Sequence, residues 1–336
     1  MINSIGAANP ATVGSVAKGL GLAIEETIKA VYRAPVILAS KLERAVAEQL
    51  DMMLSGLGFE TSIASDAELN PLPNPLYDVV LRLEKPEAIF EVAEQLGFFC
   101  GIGQAEAIRL ITVPPGIILG GVSQATVDAL AKRLKGLGTK LIQSRPQKAR
   151  YDLFSHGLPE TMARMLRSEL KLEAGMVAGQ ADSIFANDLD YAEANRLWRK
   201  YGRSGHVTII DRDFQCFDII LEEMGDGQEA EQADLLHRLF GIPEDIIPSL
   251  RGESEIILAG NRGYGEFEDV IAEMARNNIW ARADLSTFAQ RSVLISGMSE
   301  KMRPRYWAAS ALMPPLSVCR CSPPISRSKW PVQLKP

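Results

Sequence analysis

The chain has 336 residues, 46% of them apolar and 23% charged, with a formal net charge of −6. That length allows two or three domains and the composition excludes a disordered body, while the acidic balance argues against nucleic acid as the main ligand, which would need a basic face to release counterions. No apolar run reaches the ~18–20 residues of a membrane span, the first fifteen residues lack the basic start of a secretory signal, and four cysteines without framework spacing point to a reducing, cytoplasmic location with no membrane insertion.

In chain order, residues 1–72 carry an aliphatic triplet, Val36-Ile37-Leu38, then a polar turn at Ser40-Lys41, a helix over Leu42–Leu57, Gly58, and a strand over Phe59–Ile63. Residues 73–148 are the clearest unit. A strand at Tyr77-Asp78-Val79-Val80-Leu81 leads to a helix over Pro86–Leu96, in which Ile89, Val92, Ala93 and Leu96 share one side. Gly101-Ile102-Gly103 separates it from a second helix, Gln104–Ile111, which Pro114-Pro115 cannot continue. The triplet Ile117-Ile118-Leu119 and a Gly120-Gly121 turn precede a helix over Ser123–Leu137, with Ser123 as the N-cap. Gly138 ends that helix, and a strand follows from Thr139 to Gln143.

Residues 149–214 repeat the opening phrase as Tyr151-Asp152-Leu153-Phe154 and the close as a helix over Tyr191–Tyr201 and a strand over His206–Ile210. Residues 215–290 repeat it as Phe217-Asp218-Ile219-Ile220-Leu221, with a triplet at Ile256-Ile257-Leu258, a helix over Glu266–Arg276 and a strand over Ile279–Ala283. Residues 291–336 begin what reads as one more unit, at Ser292–Gly297. After Glu300 no acidic residue remains, so residues 1–300 carry −13 and the last 36 residues carry +7 with seven prolines. Such a segment is expected to be an irregular tail, either a basic arm for an acidic partner or the product of a shifted reading frame. The fold class expected is therefore α+β: three to four tandem βααβαβ units of about 65–80 residues, each small enough to gain from packing on its neighbours.

Several clusters have plain structural readings. Gly19-Leu20-Gly21 and Gly101-Ile102-Gly103 lack the third glycine and the preceding strand of a dinucleotide fingerprint, so they read as turns. The glycines of Gly260–Gly265 lack the Lys-Ser/Thr of a P-loop and read as the cap of the last helix. Asp182, Asp188, Asp190 and Glu193 lack the central glycine of a calcium loop and read as a solvated helix start; Glu222-Glu223 through Glu231 read as an acidic loop. Ser155-His156 has no acidic third member, Asp211-Arg212-Asp213 reads as local ion pairing, and no histidine or cysteine spacing suits a metal, so neither cofactor nor metal is expected. Trp198 and Trp280 read as core residues unless exposed, when they would mark a partner surface.

The second unit resembles the C-terminal domain of the bacterial ribosomal stalk protein, which shares its fold with the N-degron adaptor of the Clp protease. The residues that carry the likeness are Tyr77-Asp78-Val79, Gly101-Ile102-Gly103 with Glu106-Ala107, Pro114-Pro115, Gly121-Val122-Ser123 and Leu137-Gly138-Thr139. The first unit matches through Gly21-Leu22-Ala23, Glu25-Glu26, Ala34-Pro35 and Leu57-Gly58-Phe59, and the third and fourth keep the outline. The resemblance implies a small α+β fold and a protein-binding face on the first helix and the glycine turn. At those places stand Ile89, Glu94, Gly97, Gly101 and Gly103, without the basic residues that recruit translation GTPases. The expected function is a non-catalytic scaffold or structural subunit, binding protein partners and able to self-assemble within a larger bacterial assembly. The alternatives are a translation-associated factor-binding protein, and an enzyme or small-ligand sensor using clefts between units around Asp211, Arg212 and Asp213.

Overall fold

The computed structural model describes residues 1–65, 74–113, 116–171, 183–253 and 255–288. Pro114-Pro115, Asp182, the start of a further unit at 292–297 and the basic tail lie outside the described residues. The chain divides between Pro146 and Gln147 into two compact halves.

In the first half, the first unit runs β1 (Ile2–Ser4), α1 (Pro10–Gly19), α2 (Ile24–Tyr32), α3 (Arg44–Gly56) and β2 (Glu60–Thr61). The Asn9 side chain caps α1 by accepting from the Thr12 N–H at 2.9 Å, next to a proline whose fixed φ suits the first turn. The second unit runs β3 (Leu76–Leu83), α4 (Ile89–Cys100), α5 (Gln104–Thr112), β4 (Ile117–Ser123), α6 (Gln124–Arg133) and β5 (Thr139–Ser144). In the second half, the third unit contains β6 (Tyr151–Ser155), α7 (Glu160–Leu170), β7 (Ser183–Leu189), α8 (Tyr191–Tyr201) and β8 (Val207–Asp211). The fourth contains β9 (Cys216–Met224), α9 (Glu229–Phe240), β10 (Ile256–Gly263), α10 (Tyr264–Arg276) and β11 (Ile279–Leu285).

The fold is α+β, and its sheets repeat one plan. The strand orders are β4-β3-β5, β7-β6-β8 and β10-β9-β11, all antiparallel, so the first strand of each unit lies in the middle. The first unit follows the same plan in reduced form: β1 pairs with β2 on one side and makes a single bridge, Ile2 to Val36, on the other. The recurring aromatic-Asp-aliphatic phrase is thus the central strand. Alternation sends Tyr77, Val79 and Leu81 into the core beneath the helices and leaves Asp78 on the other face.

A second repeat is visible only in the backbone. Each unit has a left-handed residue after its first helix (Gly21, Gly101, Lys171, Gly241), one three residues before its last helix (Lys41, Gly121, Asp188, Asn261), and one between that helix and the last strand (Gly58, Gly138, Gly205, Asn278). The second and third are 17 residues apart in all four units; the first and second are 20 apart in three units and 17 in the third. In the second, third and fourth units the middle position is the bulge of an edge strand, and the aspartate of the central strand holds it. Asp78 Oδ1 accepts from the Gly121 N–H at 2.8 Å, Asp152 Oδ1 from Asp188 N–H at 2.9 Å, and Asp218 Oδ1 from Asn261 N–H at 3.1 Å. A bulge residue has lost its ladder partner, and the carboxylate supplies one from the neighbouring strand.

The two halves bury their cores differently. One apolar cluster runs through both units of the first half, from Ile2 to Leu134. Across that border Tyr32 stacks edge-on against Phe99 at 5.8 Å and donates its hydroxyl to the Phe99 carbonyl. Thr126 Oγ1 donates to the Tyr32 carbonyl at 2.8 Å, and Arg133 to the Ala7 carbonyl at 3.0 Å. In the second half the third and fourth units keep separate clusters. They are joined by Gln215, which donates to Asp152 at 2.8 Å, by Arg212 over the Tyr264 ring at 5.4 Å, and by Phe288 edge-on against Phe154 at 5.0 Å.

Some local expectations are corrected. Ser123 occupies the cap position of α6, but its hydroxyl makes no bond to the helix backbone and faces Thr126 in the core. Glu222 and Glu223 lie in β9, not in a loop, and Glu222 meets Arg282 at 3.2 Å. Asp190 and Glu193 do form the start of α8, as a reciprocal capping box. Asp188 belongs instead to the β7 bulge, where Arg150 and Arg212 pair with it at 2.7 and 2.9 Å. Arg212 is consequently engaged over long range, with Asp152 and Asp188, and its pairing is not local.

Candidate partner-binding site

α4 forms because Val92, Ala93, Leu96 and Phe99 make one apolar stripe, and these four are fully buried. Gly101 ends it in the left-handed region, donating its N–H to the Gly97 carbonyl, to which Ile102 N–H also donates at 3.0 Å. The turn folds back so closely that a Cβ on Gly97 would lie 2.9 Å from the Ile102 carbonyl. A Cβ on Gly101 would meet the ring of Pro10, at the start of α1, at 3.0 Å. Gly103 then starts α5, with open space around it.

These contacts sort the five residues named from sequence. Ile89 packs against the core and Gly97 is buried beneath the turn, so both shape the helix and its exit. Glu94, Gly101 and Gly103 are exposed. Flanking Glu94 on the outer side of α4 are Phe90 and Phe98, four residues either way and 43% and 46% exposed. Arg133 lies over the Phe98 ring at 4.5 Å, and the Gln104 side chain donates to the Phe90 carbonyl at 3.1 Å. The exposed face is therefore Phe90, Glu94 and Phe98. The signal was present in the sequence, as two phenylalanines eight residues apart on the polar side of an amphipathic helix. The corresponding turn of the first unit, between α1 and α2, exposes Leu20, Leu22 and Ile24.

The other aromatics singled out from sequence are also at the surface. Trp198 on α8 is 49% exposed, its ring lying against Gly202, and Trp280 on β11 is 52% exposed beside Gly225. Neither is a core residue. By contrast, the groups with potential chemistry are occupied structurally. His156 Nε2 lies 2.9 Å from the Thr208 hydroxyl, with its ring edge-on to Phe288. Asp211 accepts from the Asp213 N–H at 3.0 Å. Burial pushes the Cys100 thiol up to about 12, far from a reactive thiolate. No helix among the described residues is long and apolar enough to cross a membrane.

No protein-family model matches the chain, and the searches of curated proteins and of solved structures find no match either. The likeness to the stalk-protein domain therefore rests on the motif residues quoted for it.

Proposed function

We propose that the chain is a non-catalytic scaffold or structural subunit that binds other proteins through several of its small units. The observation that carries this reading is the set of half-exposed aromatic side chains on separate units: Phe90 and Phe98 in the second, Trp198 in the third and Trp280 in the fourth. Large aromatic rings left in water are the residues that most often supply binding energy at protein interfaces, because they bury much area for little lost rotamer freedom. Three units presenting such rings suit a protein that joins several partners, or several copies of one.

The test is affinity capture with the full chain followed by identification of what is retained. The variants are a Phe90→Ser, Glu94→Arg, Phe98→Ser triple change, Trp198→Ala and Trp280→Ala. All five residues are exposed, so circular dichroism should stay at the wild-type spectrum. Each variant should lose a defined partner that the others keep. An identical set of retained proteins from wild type and all three variants would discard these faces.

A further inference from the structure

Two of the exposed tryptophans stand in surroundings of opposite charge. Trp198 lies on the outer side of α8, with Tyr191, 41% exposed, two turns before it and Arg199 beside it. Its ring lies against Gly202, and Arg203 follows as an exposed residue of the next turn. Arg196 and Lys200, on the same helix, both pair with Glu169 of α7, at 2.6 and 2.7 Å. One carboxylate thus answers two of the four cations. Among the described residues no carboxylate pairs with Arg199 or Arg203.

The fourth unit presents the reverse. Phe217, Ile219 and Leu221 of β9 pack into the core with α9 and α10, so the alternate residues of this sheet face away from those helices. That outer side carries Ile257 of β10 and Trp280 of β11, each 52% exposed. Trp280 stands opposite Glu223, and a slip in register next to it brings Glu222 into the same stretch. Arg282 is shared by three carboxylates, Glu222 at 3.2 Å, Glu255 at 2.7 Å and Asp284 at 3.0 Å, so its charge is more than cancelled. Glu223 is exposed, as is Asp226, whose carbonyl accepts from the Asn278 side chain two residues before Trp280. Among the described residues no cation pairs with the carboxylate of either.

Each face holds what the other lacks, an unanswered charge beside a half-exposed aromatic ring. We propose that the basic face around Trp198 of one copy of the chain docks on the acidic face around Trp280 of a second copy. Arg199 and Arg203 meet Glu223 and Asp226, while Trp198 and Tyr191 come against Trp280 and Ile257, so that apolar area is buried where charge is neutralised. Two basic faces repel each other, as do two acidic ones, so the contact joins unlike faces. Such an assembly closes when every basic face has found an acidic one, in a two-fold pair that makes the contact twice or in a ring, and otherwise grows as a filament. This deepens the protein-binding reading, on which it rests, by naming the partner at two of its three faces.

The test uses the purified full chain, so that no other partner is present. Sedimentation velocity over a concentration series should show reversible association at about 0.05 M salt, weakened at about 0.5 M because exposed charges are screened. An Arg199→Glu, Arg203→Glu variant and a Glu223→Arg, Asp226→Arg variant should each associate at least about tenfold more weakly than wild type, since like charges then face each other across the contact. Mixed in equal amounts, the two variants should associate again, because each reversed face finds its complement on the other chain. That recovery cannot arise from a loss of folding. The proposal is overturned if the wild-type chain stays a single copy across the series, if either variant alone associates as wild type does, or if the mixture does not recover. A chain that stays a single copy yet still loses captured proteins on Trp198→Ala or Trp280→Ala removes this pairing and leaves the protein-binding reading in place, so the two failures are read separately.

Discussion

The two halves of this chain use the same unit and join it to its neighbour by different physics. In the first half the second helix of one unit delivers Tyr32 against Phe99 of the next, and the apolar cluster is continuous across the border. In the second half each unit closes its own cluster, and the link is a buried carboxylate, Asp152, shared by Arg212 and Gln215, together with one pair of phenylalanines. Apolar burial is non-directional and proportional to area, so the first arrangement makes two units one cooperative body. A polar link is directional, and its loss is felt through a stranded charge.

The sharpest way to break this contrast is a cavity in each half. Phe99→Ala should cost about 3–5 kcal/mol and should speed hydrogen exchange in α1 and α6 together, since both line one core. Leu197→Ala in the third unit should cost about 2–5 kcal/mol, with faster exchange in α8 and β6 while β9 and β11 keep their protection. Equal spreading in both halves would remove the distinction. Next in size is the polar link: Asp152→Ala should cost about 3 kcal/mol in urea unfolding, because Arg212 and Gln215 lose their shared acceptor, and Asp152→Asn should cost less because the Asp188 N–H keeps an acceptor.

A smaller effect is expected from Tyr32→Phe, about 1–2 kcal/mol by the same measurement, since the Phe99 carbonyl loses its donor while the ring packing stays. The smallest is a pH effect at Asp78. Burial raises its carboxyl, against the opposing pull of the Gly121 N–H. A carboxyl whose value is higher in the folded chain binds its proton more tightly there. Its contribution is therefore most favourable below the ordinary carboxylate value of about 4 and declines as pH rises through the raised one. Asp78→Asn keeps an acceptor for Gly121 and should lose that decline, seen as a flatter urea midpoint between pH 3 and 7.

Much of the architecture could be read along the chain because it depends on near neighbours. The aromatic-Asp phrase marked three central strands, and the period of Val127, Leu130 and Leu134 marked α6. Gly138 marked the turn into β5. Where a local rule was overridden, a distant group was responsible. β7 was hidden because Asp188, among its last residues, read as part of a solvated helix start, yet Asp152 and Arg150 hold Asp188 in the sheet. β1 was hidden because three residues carry no period. At the candidate face, Glu94, Gly101 and Gly103 lie exposed on one helix and its turn, whereas Ile89 packs against the core and Gly97 is buried. Phe90 and Phe98 were missed because amphipathic patterning draws attention to the buried side.

By itself, then, the sequence determined the repeating unit, its α+β class and the order of many of its elements, since propensity, capping and periodicity act over a few residues. Only the tertiary structure decided which aspartate oxygen clasps which bulge, which pair of units fuses its cores, and which aromatics stay in water. Those outcomes depend on groups some 36 to 94 residues apart in the chain, whose meeting no local pattern encodes.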